Sequence, residues 1–113
     1  MKEIKAIIRP FKLDDVVTAL HKIENLPGIT ISEIKGFGKT KASDSKDAFK
    51  EGLHHYVKKI KIELVVNDDI LEEVIKVIQT NAFTGNPGDG KIFILNVEDI
   101  IKIRTNERGV KAI

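Results

Sequence analysis

A chain of 113 residues with 42% hydrophobic residues, 32% charged residues and no cysteine has the size and polarity of one compact domain, without the thiolates that iron–sulfur clusters or zinc–thiolate sites need. Nineteen Lys and Arg against 17 Asp and Glu leave a formal charge of +2, too even for bulk electrostatics to hold nucleic acid, and 5% aromatic residues with no tryptophan argue against a base-stacking surface. The longest apolar runs, such as Leu64 to Val66 and Ile92 to Leu95, fall far short of the ~18 residues of a membrane helix. Met1-Lys2-Glu3-Ile4 lacks the basic-then-apolar order of a signal peptide, so a cytoplasmic chain with no membrane insertion is expected.

Residues 3–9 are rich in isoleucine and stop at Pro10, which reads as a first strand. From Asp14, the apolar positions Val16, Val17, Ala19, Leu20 and Ile23 recur at helical spacing behind two carboxylates suited to a helix N-terminus, predicting a helix over 14–24. Leu26-Pro27-Gly28 is a turn, and Ile29 to Ile34 alternates like a half-buried strand. The same grammar follows in the second half, with a strand over 60–66, a helix opened by Asp68-Asp69 and carried by Ile70, Val74, Ile75 and Ile78, and a strand over 91–97. Aligning Ile4 with Ile60 and Asp14-Asp15 with Asp68-Asp69 predicts a duplicated βαβ unit whose first copy carries two extra residues near Phe11-Lys12.

Two such units build a ferredoxin-like α+β sandwich, βαββαβ, with both helices on one face of an antiparallel sheet. The alternation Ile60-Lys61-Ile62-Glu63 puts polar residues on the other face, which suits a solvated sheet or the partly wet interior of an oligomer. Between the units, the polar span 39–59 holds six lysines against Asp44, Asp47 and Glu51. It reads as a solvated loop, within which Phe49, Leu53 and Tyr56, spaced i, i+4, i+7, also fit a short amphipathic helix that docks on a partner.

Three segments have the composition of an anion site. Thr84-Gly85-Asn86-Pro87-Gly88-Asp89-Gly90-Lys91 combines glycines that let backbone N–H groups approach phosphate oxygens with a lysine point charge, although glycine after a helix and Asp-Gly before a strand are also ordinary turn chemistry. Gly36-Phe37-Gly38-Lys39 ends a predicted strand with the same ingredients. Lys102 and Arg104 alternate along Ile100 to Thr105, so both are expected on one strand face, where paired cations call for an anion opposite. His21 reads as a surface residue. His54-His55 offers two imidazoles but no third ligand nearby, and adjacent histidines diverge on a strand or a helix. No serine, histidine and acid fall into a nucleophile pattern, so a binding protein rather than an enzyme is expected.

The order and spacing of these segments resemble the PII signal-transduction proteins over essentially the whole chain. The resemblance rests on Ala6 to Val16, on Lys35-Gly36-Phe37-Gly38, on Lys59 to Glu63, on Thr84-Gly85 with Gly88 to Phe93, and on Ile101 to Thr105 with Glu107-Arg108-Gly109. It implies a homotrimer of ferredoxin-like subunits that binds ATP or ADP, with Mg2+, in clefts between neighbours and regulates a partner protein, such as an enzyme or a membrane transporter. Carried over by position, Thr30, Gly38 and Val65 frame the adenosine, and Gly88, Asp89, Gly90 and Lys91 hold phosphates. Lys102 and Arg104 reach phosphates from the adjacent subunit, and Lys39 and Glu63 join the same nucleotide site. The family has arginine where this chain has Lys102, which replaces a bidentate fork by a point charge.

The span 39–58 corresponds to the family's T-loop, the arm that reaches partners, and Phe49, Leu53 and Tyr56 are its candidate contact residues. The tyrosine that many members have nucleotidylylated falls on Gly52, which has no hydroxyl, while Tyr56 lies four residues on. The glutamine that helps bind magnesium and 2-oxoglutarate falls on Thr40, while the lysine that meets the 2-oxoglutarate carboxylate is kept as Lys59. The resemblance therefore implies a nucleotide sensor with a rewritten output arm. A link to metal efflux with direct metal sensing, His54 and His55 being the candidate ligands, or slow ATP hydrolysis at the same cleft, is the second reading.

Overall fold

The computed structural model describes residues 1–37 and 56–113. The expectations placed on Gly38, Lys39, Thr40, Phe49, Leu53, His54 and His55 lie outside the described residues. In strand β1 (Lys2–Ile8), period-two alternation sends Ile4, Ala6 and Ile8 to one side, where all three are buried. Pro10 has no N–H to extend the ladder, and it opens a 3-10 turn (Pro10–Lys12) that leads into helix α1 (Leu13–His21). Asp14 and Asp15 lie in the first turn of α1, while Val16 and Leu20, four apart, point into the core. The helix ends earlier than the periodicity predicts. The Ile23 amide bonds the Leu20 carbonyl in a tightened last turn, and Asn25 adopts the left-handed conformation, φ 63°, that terminates a helix.

Strands β2 (Thr30–Gly36) and β3 (Val57–Val66), a 3-10 turn (Asp68–Ile70), helix α2 (Leu71–Ala82) and strand β4 (Lys91–Asn96) complete the elements around the sheet. The sheet order is β2-β3-β1-β4, every pairing is antiparallel, and α1 and α2 pack side by side over one face. This is the ferredoxin-like arrangement the sequence predicts. The core is the layer between sheet and helices: Ile4, Ala6, Ile8, Ile62 and Val66 against Val16, Leu20, Val74 and Ile78.

The repeat is real in pattern but its predicted register is not. Buried positions correspond without a gap at an offset of 58 residues: Ile4 with Ile62, Ala6 with Leu64, Ile8 with Val66, Val16 with Val74, and Leu20 with Ile78. The 3-10 turns and helix starts, Pro10 with Asp68 and Leu13 with Leu71, correspond at the same offset. No two-residue insertion separates the copies. Asp68-Asp69 misleads because it occupies a turn capped by the Asn67 side chain, which accepts from the Asp68 amide at 2.8 Å. The residues equivalent to Asp14-Asp15 are Glu72-Glu73 in the first turn of α2.

Strand β3 starts at Val57, three residues before the predicted start, because Gly36, Lys35 and Ile34 pair with Val57, Lys58 and Lys59. Backbone pairing needs no apolar side chain, so two lysines hid this part of the strand, and Val57-Lys58 belongs to the sheet rather than to the connecting arm. The face away from the helices carries Lys5, Lys61 and Glu63, with Lys61 Nζ 3.4 Å from Glu63 Oε1, as the alternation predicts. Phe93 and Leu95 share that face on β4 and are 45% and 41% exposed, so it is mixed rather than polar throughout. Among the described residues no helix is long and apolar enough to cross a membrane.

Burial assigns unequal weight to a cross-strand pair. Ile62 is fully buried and its β2 partner Ile31 is 43% exposed. In urea denaturation Ile62→Ala is expected to lower stability by about 2–5 kcal/mol and Ile31→Ala by less than half as much. Equal losses would contradict the placement of the core.

Candidate functional site

The segment between α2 and β4 is held against the end of β1 by steric necessity and by charge. Gly90 has φ +97°, and a Cβ there would lie 1.7 Å from the Ile7 carbonyl oxygen, so only glycine allows the loop to come down on the strand. Directly beside it, the Asp89 carboxylate accepts from the Thr84 amide at 2.8 Å, the Gly85 amide at 2.9 Å and the Thr84 hydroxyl. Arg9 Nε donates to the same carboxylate at 2.9 Å while its Nη2 donates to the Pro87 carbonyl at 2.7 Å. Arg9, at the end of β1, thus moors the loop by a carboxylate and a carbonyl. The Thr84 hydroxyl and amide, followed by Arg9, hold the Asp89 carboxyl well below the usual aspartate range.

Sequence reasoning assigned Asp89 to phosphate; its side chain is spent inside the loop, and it positions Gly88, Gly90 and Lys91. Sequence reasoning missed Arg9 altogether. Its only signal was a guanidinium at a strand end preceding proline, with a turn aspartate eighty residues away.

Lys91, Gly88 and Gly90 line a cleft of about 520 Å3 together with Arg9, Lys59 and Phe37. Lys59 Nζ donates to the Gly88 carbonyl across the cleft, and Lys91 is exposed with no ion pair among the described residues. Tyr56, just before β3, stacks at a tilt on Phe37 with ring centroids 6.1 Å apart, bringing together the two described ends of the excursion between β2 and β3.

Thr30, Glu63 and Val65 meet elsewhere. Thr30 pairs directly with Glu63, and the three line a second cleft, of about 380 Å3, with Gly28, Ile100 and Ile113. Lys59 in the first cleft and Val65 in the second stand six residues apart on β3, or about 20 Å at the rise of a strand. The structure therefore gathers the predicted residues into two groups at opposite ends of the sheet.

Lys102 and Arg104 do not lie on a strand. Ile101 bridges to Arg108, the Lys102 amide donates to the Glu107 carbonyl at 2.9 Å, and the Asn106 amide donates to the Lys102 carbonyl at 2.8 Å, which folds 101–108 into a tight hairpin. Asn106, at φ 62°, makes the reversal, so the apolar–cationic alternation runs into a turn instead of a ladder. Lys102 Nζ lies 3.7 Å from Glu107 Oε1, whereas Arg104 is exposed and forms no ion pair among the described residues.

The fold and the two clefts define a ferredoxin-like α+β domain whose glycine turn and lysines suit an anion. The chain belongs to the P-II family: residues 1–107 match the family described as nitrogen regulatory protein P-II. It is 50% identical over 113 residues to the nitrogen regulatory protein P-II of Rhodospirillum rubrum and 47% identical to that of Azospirillum brasilense, with full coverage of both chains in each case. Among solved structures it is similar to Arabidopsis thaliana PII bound to citrate, with a TM-score of 0.78 and 41% identity, covering 98% of this chain and 90% of that one. These relatives are named as regulatory proteins, not as enzymes.

Two measurements test the moored turn. Gly90→Ala must move the backbone away from Ile7 and is expected to lower stability by about 2–4 kcal/mol, while Gly28→Ala, with nothing within 4 Å of its added Cβ, stays within about 0.5 kcal/mol. In a carboxyl NMR titration, Asp89 is expected to stay ionised below the ordinary aspartate pKa of about 3.9. Because that pKa is depressed in the fold, the stability it contributes is present above the ordinary range and is lost as pH falls towards the folded value. Thr84→Val should raise the Asp89 pKa more than Arg9→Gln does; the reverse order would reassign the dominant contact.

Proposed function

We propose that this chain is a nucleotide-responsive regulator that acts in the cytoplasm as a homotrimer, binding ATP or ADP between neighbouring subunits and signalling to a partner protein through the 39–58 arm. The observation that carries the reading is the separation of the two residue groups on one sheet. A nucleotide's phosphates are bonded directly to its ribose, so a ligand cannot use both ends of one subunit, whereas a second copy can set its Thr30–Glu63–Val65 end beside the Gly88–Lys91 end of the first. Adenosine then takes the cleft of Thr30, Glu63 and Val65, the phosphates take the glycine turn and Lys91, and Lys102 and Arg104 supply further cations. Gly38 and Lys39 complete the site from the arm.

The residues present fit a polyphosphate. Positive-φ glycines at 88 and 90 keep the turn free of side chains where Lys59 and Lys91 converge. Bound phosphates carry Mg2+ with them, since the ion takes most of its ligands from phosphate and water. Thr40 is shorter than the family's glutamine, so the reading assigns 2-oxoglutarate little added affinity even though Lys59 is kept. The partner is a regulated protein, a membrane transporter being the class that the PII resemblance favours. For the arm to act as a switch, ATP and ADP must bind its arrangements with different affinity, because equal binding shifts no population.

Calorimetric titration of ATP and ADP with magnesium, with and without 2-oxoglutarate, tests the reading on the wild type and on Lys91→Ala. Saturable binding weakened about tenfold or more in Lys91→Ala is expected, because one charge-assisted contact is removed from each site. Sedimentation should give three chains per particle. Absence of nucleotide binding by the wild type would overturn the reading, and a clear rise in ATP affinity with 2-oxoglutarate would restore that metabolite to it.

A further inference from the structure

The hairpin 101–108 carries two cations at its tip, and a single carboxylate at its base ties both of its ends. Asp99 Oδ1 accepts from the Ile100 amide at 2.8 Å, where the hairpin begins, and from the Gly109 amide at 3.1 Å, where it ends. Its other oxygen lies 3.2 Å from Arg108 Nη1, and the Gly109 amide also donates to the Ile100 carbonyl at 3.0 Å. Ile103 is fully exposed, and Val110 and Ile113 are half-exposed, so apolar packing within the subunit does little to fix this segment. Polar contacts have to fix it. Among the described residues, Asp99 is the one side chain bonded to both ends of the hairpin.

We propose that Asp99 is a positioning residue for phosphate recognition: by closing the base of the hairpin through Ile100, Arg108 and Gly109, it holds Lys102 and Arg104 where they meet the phosphates of a nucleotide. The inference rests on the nucleotide reading above and adds a residue that contacts no ligand itself. Three properties suit Asp99 to the role. It accepts two backbone amides, so it sets main-chain geometry rather than one rotamer. Its charge is offset by Arg108, so the clamp does not draw Lys102 or Arg104 away from an incoming anion. Its contacts, the Ile100 amide first, keep the carboxyl ionised below the usual aspartate range, so the clamp is intact at neutral pH.

The test is a double-mutant cycle on the full chain in its native assembly, with MgATP affinity as the readout. Asp99→Ala is expected to weaken MgATP binding about tenfold and to add nothing further in a Lys102→Ala/Arg104→Ala background. Arg108→Ala removes one of the three donors and should give a smaller loss; it replaces Asp99→Ala if that variant does not fold. Hydrogen exchange at the Gly109 amide should speed up in Asp99→Ala. An equal loss in both backgrounds, or no loss while Lys91→Ala still loses binding, would overturn the role of Asp99 and leave the nucleotide reading standing. A wild type that binds no MgATP would overturn both.

Discussion

Everything at the anion-compatible end of this domain depends on one close approach, that of Gly90 to the Ile7 carbonyl. A side chain of any size at position 90 would collide with main chain rather than with a flexible side chain, so the turn cannot adjust around it. Seated there, the turn delivers Lys91 into β4 opposite Ile7 and brings the Gly88 carbonyl to Lys59 of β3. Arg9 fixes the same turn from β1 by bonding Asp89 and Pro87. Three strands therefore converge on the cleft through contacts that are mainly to backbone, which makes its shape a property of the sheet rather than of any one loop conformation.

The sequence revealed these parts unequally. Period-two alternation in β1 and β3 and helical spacing in α1 and α2 are direct consequences of burying one face, so the elements and the βαββαβ order were legible. The register of the internal repeat was not, because acid pairs at Asp14-Asp15 and Asp68-Asp69 look equivalent while one sits in a helix and the other in a capped turn. Buried positions would have aligned the copies correctly, since burial, unlike surface charge, is imposed by the shared core. The start of β3 was hidden for a related reason: Lys58 and Lys59 pair through backbone atoms, which composition does not report.

At the site, residue types that bear charge were legible and residues that organise them were not. Lys91, Lys102 and Arg104 stand out as cations near glycine or on an alternating run. Asp89 was singled out for the phosphate turn but not for the contacts by which its side chain organises that turn, and Arg9 and Asp99 were not singled out, because their partners lie eighty and ten residues away and only the fold brings them together. The apolar–cationic alternation of Ile100 to Thr105 was read as a strand because the reversal is made by a left-handed asparagine after it, a signal weaker than the pattern it interrupts.

The two ends of the sheet are organised by the same device. At one end Asp89 gathers two backbone amides, a hydroxyl and Arg9; at the other Asp99 gathers two backbone amides and Arg108. In both cases the aspartate is adjacent to cations that a phosphate would use, yet its charge is matched by an arginine of its own. Such pairing fixes the backbone without neutralising Lys91 or Arg104, which leaves positive potential available to a ligand while the unliganded chain avoids an uncompensated carboxylate. Both carboxyls lie below the ordinary aspartate range, so both clamps hold at and above it and each loosens only as acid protonates its own carboxylate. Main-chain geometry is thus fixed at both ends of the sheet by contacts made within the fold, so the entropy of ordering these turns is met in folding and would not fall on a ligand that used them.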